Sequence, residues 1–292
     1  MFKKILGSAA VMATLAAVQP AKAIDIMPGD YTVFPKGTNA FLLYGQYSHA
    51  SRLKIDAPGP AIPGSDLGVA IGIARVLHYN EIAGIPVGVQ AFIPFGGFTS
   101  ARIGGQKLRT QDGLGDLTMG ATIWPVNIPG PTGTTIGLTA YVTAPTGNYS
   151  ARPGTLSLGS GTWTFTPQLG IIQGLGNGFF LDLAADVAIR DDHREFGLTI
   201  KRDPSYQAQA YLRYQFSATT NVSFGYSGSY GGKDFVGGTY ARTKTRQDQL
   251  RVFASTFLTK TTQIQAMVGT DVSAQAGFKQ DVVGTVRLLQ LF

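Results

Sequence analysis

Cysteine is absent from the chain. That removes small disulfide-stapled secreted folds and every cysteine-based metal or catalytic site. Histidine is scarce, and none of the three residues is spaced as a paired ligand, which argues against a zinc centre. Charge is also scarce: 14% of residues are Asp, Glu, Lys or Arg, where a soluble domain carries about a quarter. Beyond the N-terminal region no apolar run reaches the roughly eighteen residues of a helical membrane span. The basic residues form no stripe interleaved with aromatics, so nucleic acid is excluded as a partner. Internal repeats of propeller or solenoid period are missing as well.

The first 23 residues carry a separate message. Lys3 and Lys4 precede an apolar stretch from Ile5 to Val18, and Ala21-Lys22-Ala23 offers a small-x-small cleavage site. This is the pattern of a signal peptide, residues 1–23, and it predicts export. Removing Lys3, Lys4 and Lys22 from the 24 basic residues leaves 21 against 17 acidic ones, a modest excess. Residues 24–38 contain Pro28, Gly29, Pro35 and Gly37 and read as an irregular periplasmic or lumenal arm.

What is abundant is two-residue alternation. In 178–190, GFFLDLAADVAIR, Phe179, Leu181, Leu183, Ala185, Val187 and Ile189 alternate with Asp182, Ala184, Asp186, Ala188 and Arg190. That is a strand with one apolar and one polar face, long enough to cross a bilayer at a tilt. Similar stretches fall at 39–50, 66–78, 82–95, 114–125, 134–145, 161–173, 205–217, 220–230, 248–259, 261–272 and 278–292. Short connections alternate with long polar ones, apart from a short link at 273–277. Short turns at one rim and long loops at the other predict an all-β fold: a transmembrane antiparallel barrel of about twelve strands over 39–292, of outer-membrane type.

Backbone groups in hydrocarbon cannot go unpaired, so the first and last strands must meet. Aromatic girdles are expected from Phe41, Trp124, Phe179 and Phe216 near one rim and Tyr47, Phe95, Trp163 and Tyr206 near the other. Charges on lipid are costly and on a wet interior cheap, so the polar faces should line the lumen. The predicted lining and solute path comprises Asp116, Asp182, Asp186, Arg190, Gln207, Gln209, Arg213 and Arg251. Arg75 breaks the pattern by sharing parity with Leu67, Val69, Ile71 and Ile73. It requires either snorkelling or a bulge if those apolar residues face lipid.

Enzymatic signals are weak. His49-Ala50-Ser51 is a His-x-Ser like that of outer-membrane phospholipase, but no orienting Asn follows on the next strand. Asp182 and Asp186 are roughly 13 Å apart along a strand, too far for a carboxylate dyad. Gly113-Leu114-Gly115-Asp116 lacks the helix and Lys of a phosphate loop. No cofactor is implied.

That GLGD run, opening the fourth strand, carries a resemblance instead. Together with Ala144-Pro145-Thr146-Gly147-Asn148-Tyr149 closing the fifth, it resembles outer-membrane transporters associated with meta-pathway phenol degradation. Pro35-Lys36-Gly37-Thr38, Leu43-Tyr44-Gly45-Gln46-Tyr47 and Leu158-Gly159-Ser160-Gly161-Thr162-Trp163 are similar to runs of that family. The resemblance spans the mature chain and implies a barrel transporter for aromatic or other hydrophobic compounds, with no catalytic residues to carry over. The terminal Phe292 resembles the signal read by the outer-membrane assembly machinery. The expectation is a channel in the outer membrane of a Gram-negative bacterium, contacting lipid and admitting small solutes passively. A non-conducting surface barrel and a phospholipase-like enzyme are the alternatives.

Overall fold

The computed structural model describes residues 24–54, 60–152, 154–195 and 197–292, so the expected signal peptide lies outside the described residues. Alternation becomes twelve long strands: β1 (Asn39–Lys54), β2 (Asp66–Ile82), β3 (Ile85–Ile103), β4 (Leu117–Asn127), β5 (Thr134–Ala144) and β6 (Thr164–Gly176), then β7 (Phe179–Arg190), β8 (Ser205–Gln215), β9 (Thr220–Gly231), β10 (Thr245–Phe257), β11 (Thr262–Gln275) and β12 (Gly277–Leu291). Each pairs antiparallel with its neighbours in chain order. β12 returns to β1, from Ala40 opposite Leu291 to Lys54 opposite Gly277, with irregularities around Ala50. Asn39 and Phe292 exchange backbone hydrogen bonds of 2.8 and 3.0 Å at the end of this seam. The ring is thus closed, as a lipid environment demands. Twelve strands spaced ~4.8 Å apart and tilted ~40° enclose a lumen roughly 24 Å across between backbones.

The rim of short turns, termed inner here, is built by turn chemistry. Ala83-Gly84 (φ 50° and 81°) and Asn177-Gly178 (φ 52° and 82°) place both central residues in the left-handed region. Two-residue hairpins of right-handed strands require this. The outer connections, long and polar in the sequence, include several short strands among the described residues. Arg109–Gln111, between β3 and β4, runs parallel to Thr155–Ser157, between β5 and β6. His193–Glu195 and Leu198–Arg202, between β7 and β8, join Asp234–Val236 and Thr239–Tyr240, between β9 and β10, in a four-stranded sheet. Such strands of two to five residues are too short for alternation to register. Boundaries also shift: β3 runs on to Ile103, and β4 begins at Leu117, because Gly113–Leu114 pairs separately with Phe95 and Gly96.

Sidedness follows the alternation over most of the ring. Phe224, Val252, Val268 and Val286 are exposed on the outside, whereas Ser223, Arg251, Gln265 and Thr285 are buried within. β2 is a correction. Arg75 lies opposite Leu42 and Phe92, inside the barrel, and Ile73 lies opposite Tyr44 and Pro94. The lipid side of β2 is Ala70, Gly72, Ala74 and Val76, so Arg75 needs no bulge or snorkelling. It was the isoleucines that pointed the other way. Trp124 is a second correction: it is buried, on the inward parity of Thr118 and Thr122. The other seven expected girdle aromatics are exposed.

Because Val286 faces outward between the rims, Val286→Arg should lower unfolding free energy in vesicles by about 2–4 kcal/mol, and Val286→Leu by much less. Equal urea midpoints for the two variants would contradict the assigned lipid face.

Candidate functional site

The lumen is crossed by residues 24–38. Gly37 N–H donates to the Tyr79 carbonyl at 2.8 Å and Tyr79 N–H to Thr38 at 2.9 Å, fastening the arm where it enters β1 at the inner rim. Upstream, a turn at Met27–Asp30, closed by Asp30 N–H to the Met27 carbonyl at 3.1 Å, sits inside the ring. Ile26, Met27 and Tyr31 are buried there against Leu42, Tyr44, Tyr79, Trp124, Tyr211 and Phe253.

Polar side chains of the barrel wall hold residues 24–31 at almost every position. The Asp25 carboxylate accepts from Gln207 (2.6 Å), Gln209 (3.1 Å) and Arg251 (3.1 Å). Ile26 N–H donates to Gln209 Oε1 at 3.2 Å, and Gln168 Nε2 donates to the Ile24 carbonyl at 2.7 Å. Gly29 N–H reaches Asp182 at 3.0 Å. Asp30 is ion-paired with Arg287, and Arg75 lies 3.9 Å away. Tyr31 bonds Gln168 at 3.0 Å and Thr139 at 3.1 Å through its hydroxyl, while Trp124 Nε1 donates to its carbonyl at 3.1 Å. A buried indole needs such an acceptor, which explains why Trp124 points inward.

The Tyr31 ring occupies a slot made by two glycines. A Cβ on Gly137 would fall 2.4 Å from the ring, and one on Gly170 only 1.9 Å from it. The wall therefore admits the ring only because those two side chains are missing.

Of the eight residues expected along the solute path, five surround the arm. Gln207, Gln209 and Arg251 hold Asp25, whereas Asp182 bridges Gly29 and Arg213, whose Nε is 2.8 Å away. Arg213 also stacks over Phe180 at 4.5 Å. Asp186 accepts from Gln168 at 3.0 Å, and its other oxygen is buried without a partner. Asp116 lies near the outer mouth, where it accepts from Gly147 N–H (2.9 Å), Ser160 N–H (2.7 Å) and the Ser160 hydroxyl (2.6 Å). It thereby anchors the β5–β6 connection. Arg190 stands at the outer end of β7, opposite Thr164. Burial, reinforced by the Arg190 charge, lowers the pKa of the nearby loop residue His193. Its Nε2 lies 3.1 Å from the Glu195 carboxylate.

Sequence reasoning missed Tyr31, Gln168, Arg75 and Arg287 as participants. Arg75 and Arg287 carried a signal, a charge within an otherwise apolar strand. Gln168 had none beyond its parity. Ser51 of the His-x-Ser sits exposed at the outer end of β1, where its amide donates to Asp281 at 2.7 Å. Among the described residues no cluster of His, Asp or Glu could hold a metal ion.

The arm divides the lumen in two. Toward the outer rim lies a cavity of about 360 Å³, floored by Ile24–Met27. Leu67, Val69, Ile71 and Ile73 of β2, with Phe92, Pro94 and Phe98 of β3, make one apolar wall of it. Toward the inner rim lies a cavity of about 210 Å³ bounded by Pro28–Asp30, Phe34, Arg213, Arg287 and Leu289.

Residues 50–288 match the family described as "Putative MetA-pathway of phenol degradation". An outer membrane channel from Pseudomonas putida F1 is 27% identical with a TM-score of 0.83, covering 92% of this chain and 100% of that one. The transport unit of the autotransporter AIDA-I from Escherichia coli is 7% identical, with a TM-score of 0.50 over 97% of this chain and 98% of its own; it shares the fold alone. No curated protein matches the chain.

A methyl at position 170 cannot coexist with the docked tyrosine, so Gly170→Ala should eject the arm without opening the barrel. Amide exchange in residues 24–34 is expected to accelerate at least tenfold while β6 and β7 stay protected. An unchanged arm would contradict the wedge.

Proposed function

The chain belongs to this MetA-pathway of phenol degradation family, and on that premise we propose that it is a passive outer-membrane channel for small aromatic or otherwise hydrophobic solutes. The observation that carries the reading is the divided lumen: two cavities at opposite rims of a closed barrel, separated only by an arm pinned through side-chain contacts. The likeness to the Pseudomonas putida channel supports the outer membrane as its site. A solute would enter the outer cavity, slide along the β2–β3 apolar wall and pass the arm as residues 24–31 shift. Asp116, Asp182, Asp186, Arg190, Gln207, Gln209, Arg213 and Arg251 would line or guard that path. The outward apolar band supports lipid as a partner, and the exposed Phe292 supports recognition by the assembly machinery.

Electrostatics sets the direction of selectivity. Asp25 and Asp30 of the arm lie against Arg251, Arg75 and Arg287 of the wall. When the arm moves, those arginines face the lumen without their carboxylates. An unpaired cation in a low-dielectric wall attracts anions and favours re-docking. The arm should thus behave as a reversible constriction. A second reading, a non-conducting surface barrel, is favoured by how completely the arm spans the lumen.

Liposome swelling and planar bilayers separate the two. Asp25→Ala/Asp30→Ala should raise solute flux severalfold over the unaltered protein and shift the reversal potential toward anions. Flux at the protein-free level in both proteins would leave the non-conducting reading.

A further inference from the structure

Three of the arginines lining the outer cavity are occupied. Arg75 faces Asp30 at 3.9 Å, Arg246 faces Asp248 at 3.3 Å, and Arg251 faces Asp25 at 3.1 Å. Arg190 lines the same cavity and differs from them. Among the described residues its guanidinium has no hydrogen-bond or ion-pair partner, and its Nε is buried and unsatisfied. The carboxylates near it are already engaged. Asp116 accepts three hydrogen bonds from Gly147 and Ser160, and Asp234 is held by Arg202 and Thr243. A guanidinium is charged at neutral pH, and leaving it partly desolvated without an acceptor is costly. Such an arrangement is expected where an incoming ligand supplies the acceptor.

The rest of the cavity defines the ligand's other end. β7, which carries Arg190, lies across the ring from β2 and β3. There the inward residues include Ile71, Ile73, Phe92 and Phe98, joined by Leu158 from the β5–β6 connection. One wall therefore presents a forked cation and the facing wall presents hydrocarbon. The volume, about 360 Å³, falls in the range of small-molecule sites.

Resting on the channel reading above, we propose that the outer cavity binds small amphipathic carboxylates, with the acid group on Arg190 and the apolar body against the β2–β3 wall. Arg190 would take the carboxylate through two parallel N–H donors, a geometry that lysine cannot reproduce. The ring or alkyl part would displace water from Ile71, Phe92 and Phe98, a gain proportional to the apolar area covered. Neither half suffices alone: acetate lacks the body, and an aryl alcohol lacks the charge. The site thus selects anionic hydrophobic acids over their neutral analogues, while the arm beneath it controls onward passage.

The test is equilibrium dialysis of radiolabelled phenylacetate against the detergent-solubilised full-length barrel, with 2-phenylethanol and acetate as controls. The unaltered protein should bind phenylacetate saturably. R190Q should weaken that binding at least tenfold and leave the weaker binding of 2-phenylethanol unchanged, with R190K in between. Phe98→Ser should weaken both aromatic ligands. Heat-dependent gel mobility establishes that each variant is folded; should R190Q misfold, R190K carries the comparison. Equal phenylacetate binding by the unaltered protein and the Arg190 variants, or no saturable binding at all, overturns the assignment. Binding through Arg190 without solute flux in liposomes would sink the channel reading and leave this site standing. Flux of phenylacetate indifferent to Arg190 would do the reverse.

Discussion

Every strand of this barrel depends on one requirement: a peptide group surrounded by hydrocarbon must find its hydrogen-bond partner in protein. The β1–β12 seam meets that requirement, running from Lys54 opposite Gly277 down to the reciprocal bonds of Asn39 and Phe292. Without the seam two edges would face lipid, at a cost of several kcal/mol for each exposed group. Closure in turn obliges alternate residues to point into a shared interior. That interior is too wide for wall side chains to fill, and residues 24–38 occupy part of it, leaving a cavity on either side.

The arm and wall are matched group by group rather than by general greasiness. Asp30 and Arg287 are both deeply buried, and removing one member of such a pair typically costs about 3–5 kcal/mol. Asp25 is half-exposed toward the outer cavity, so its pairing with Arg251 is screened and weaker. The arm is consequently fastened more firmly at Asp30 than at Asp25. A segment hinged in this way can yield over residues 24–31, beginning at Asp25, while Gly37 and Thr38 remain tied to Tyr79.

Much of this is legible in the residues themselves. The 178–190 stretch lies in the ring as read, with Asp182 and Asp186 inside and Leu181 and Ile189 on the opposite face. Alternation works there because one face is plainly polar. It misleads on β2, where the lipid side is Ala70, Gly72 and Ala74 and the lumen side is isoleucine. Hydropathy ranks the two faces in the wrong order, and only Arg75 betrayed the true one. Trp124 was misplaced for a related reason, since interfacial preference is a property of tryptophan in general, whereas its indole here answers to one carbonyl of Tyr31. Of the polar residues expected to meet solute, Gln207, Gln209, Arg251 and Asp182 bond the arm instead. Pairing across 150 to 260 positions of sequence leaves no local trace, as Gly29 with Asp182 and Asp30 with Arg287 illustrate.

The outer connections, finally, are coupled in twos. One ridge joins the β3–β4 and β5–β6 segments, and the other joins β7–β8 to β9–β10 through Ile200 and Val236. Anything approaching from outside the cell, whether a phage fibre or an antibody, would therefore meet composite surfaces whose halves are far apart in the chain. Such epitopes vanish on denaturation, and neither partner segment can lengthen or drift in sequence without the other accommodating it.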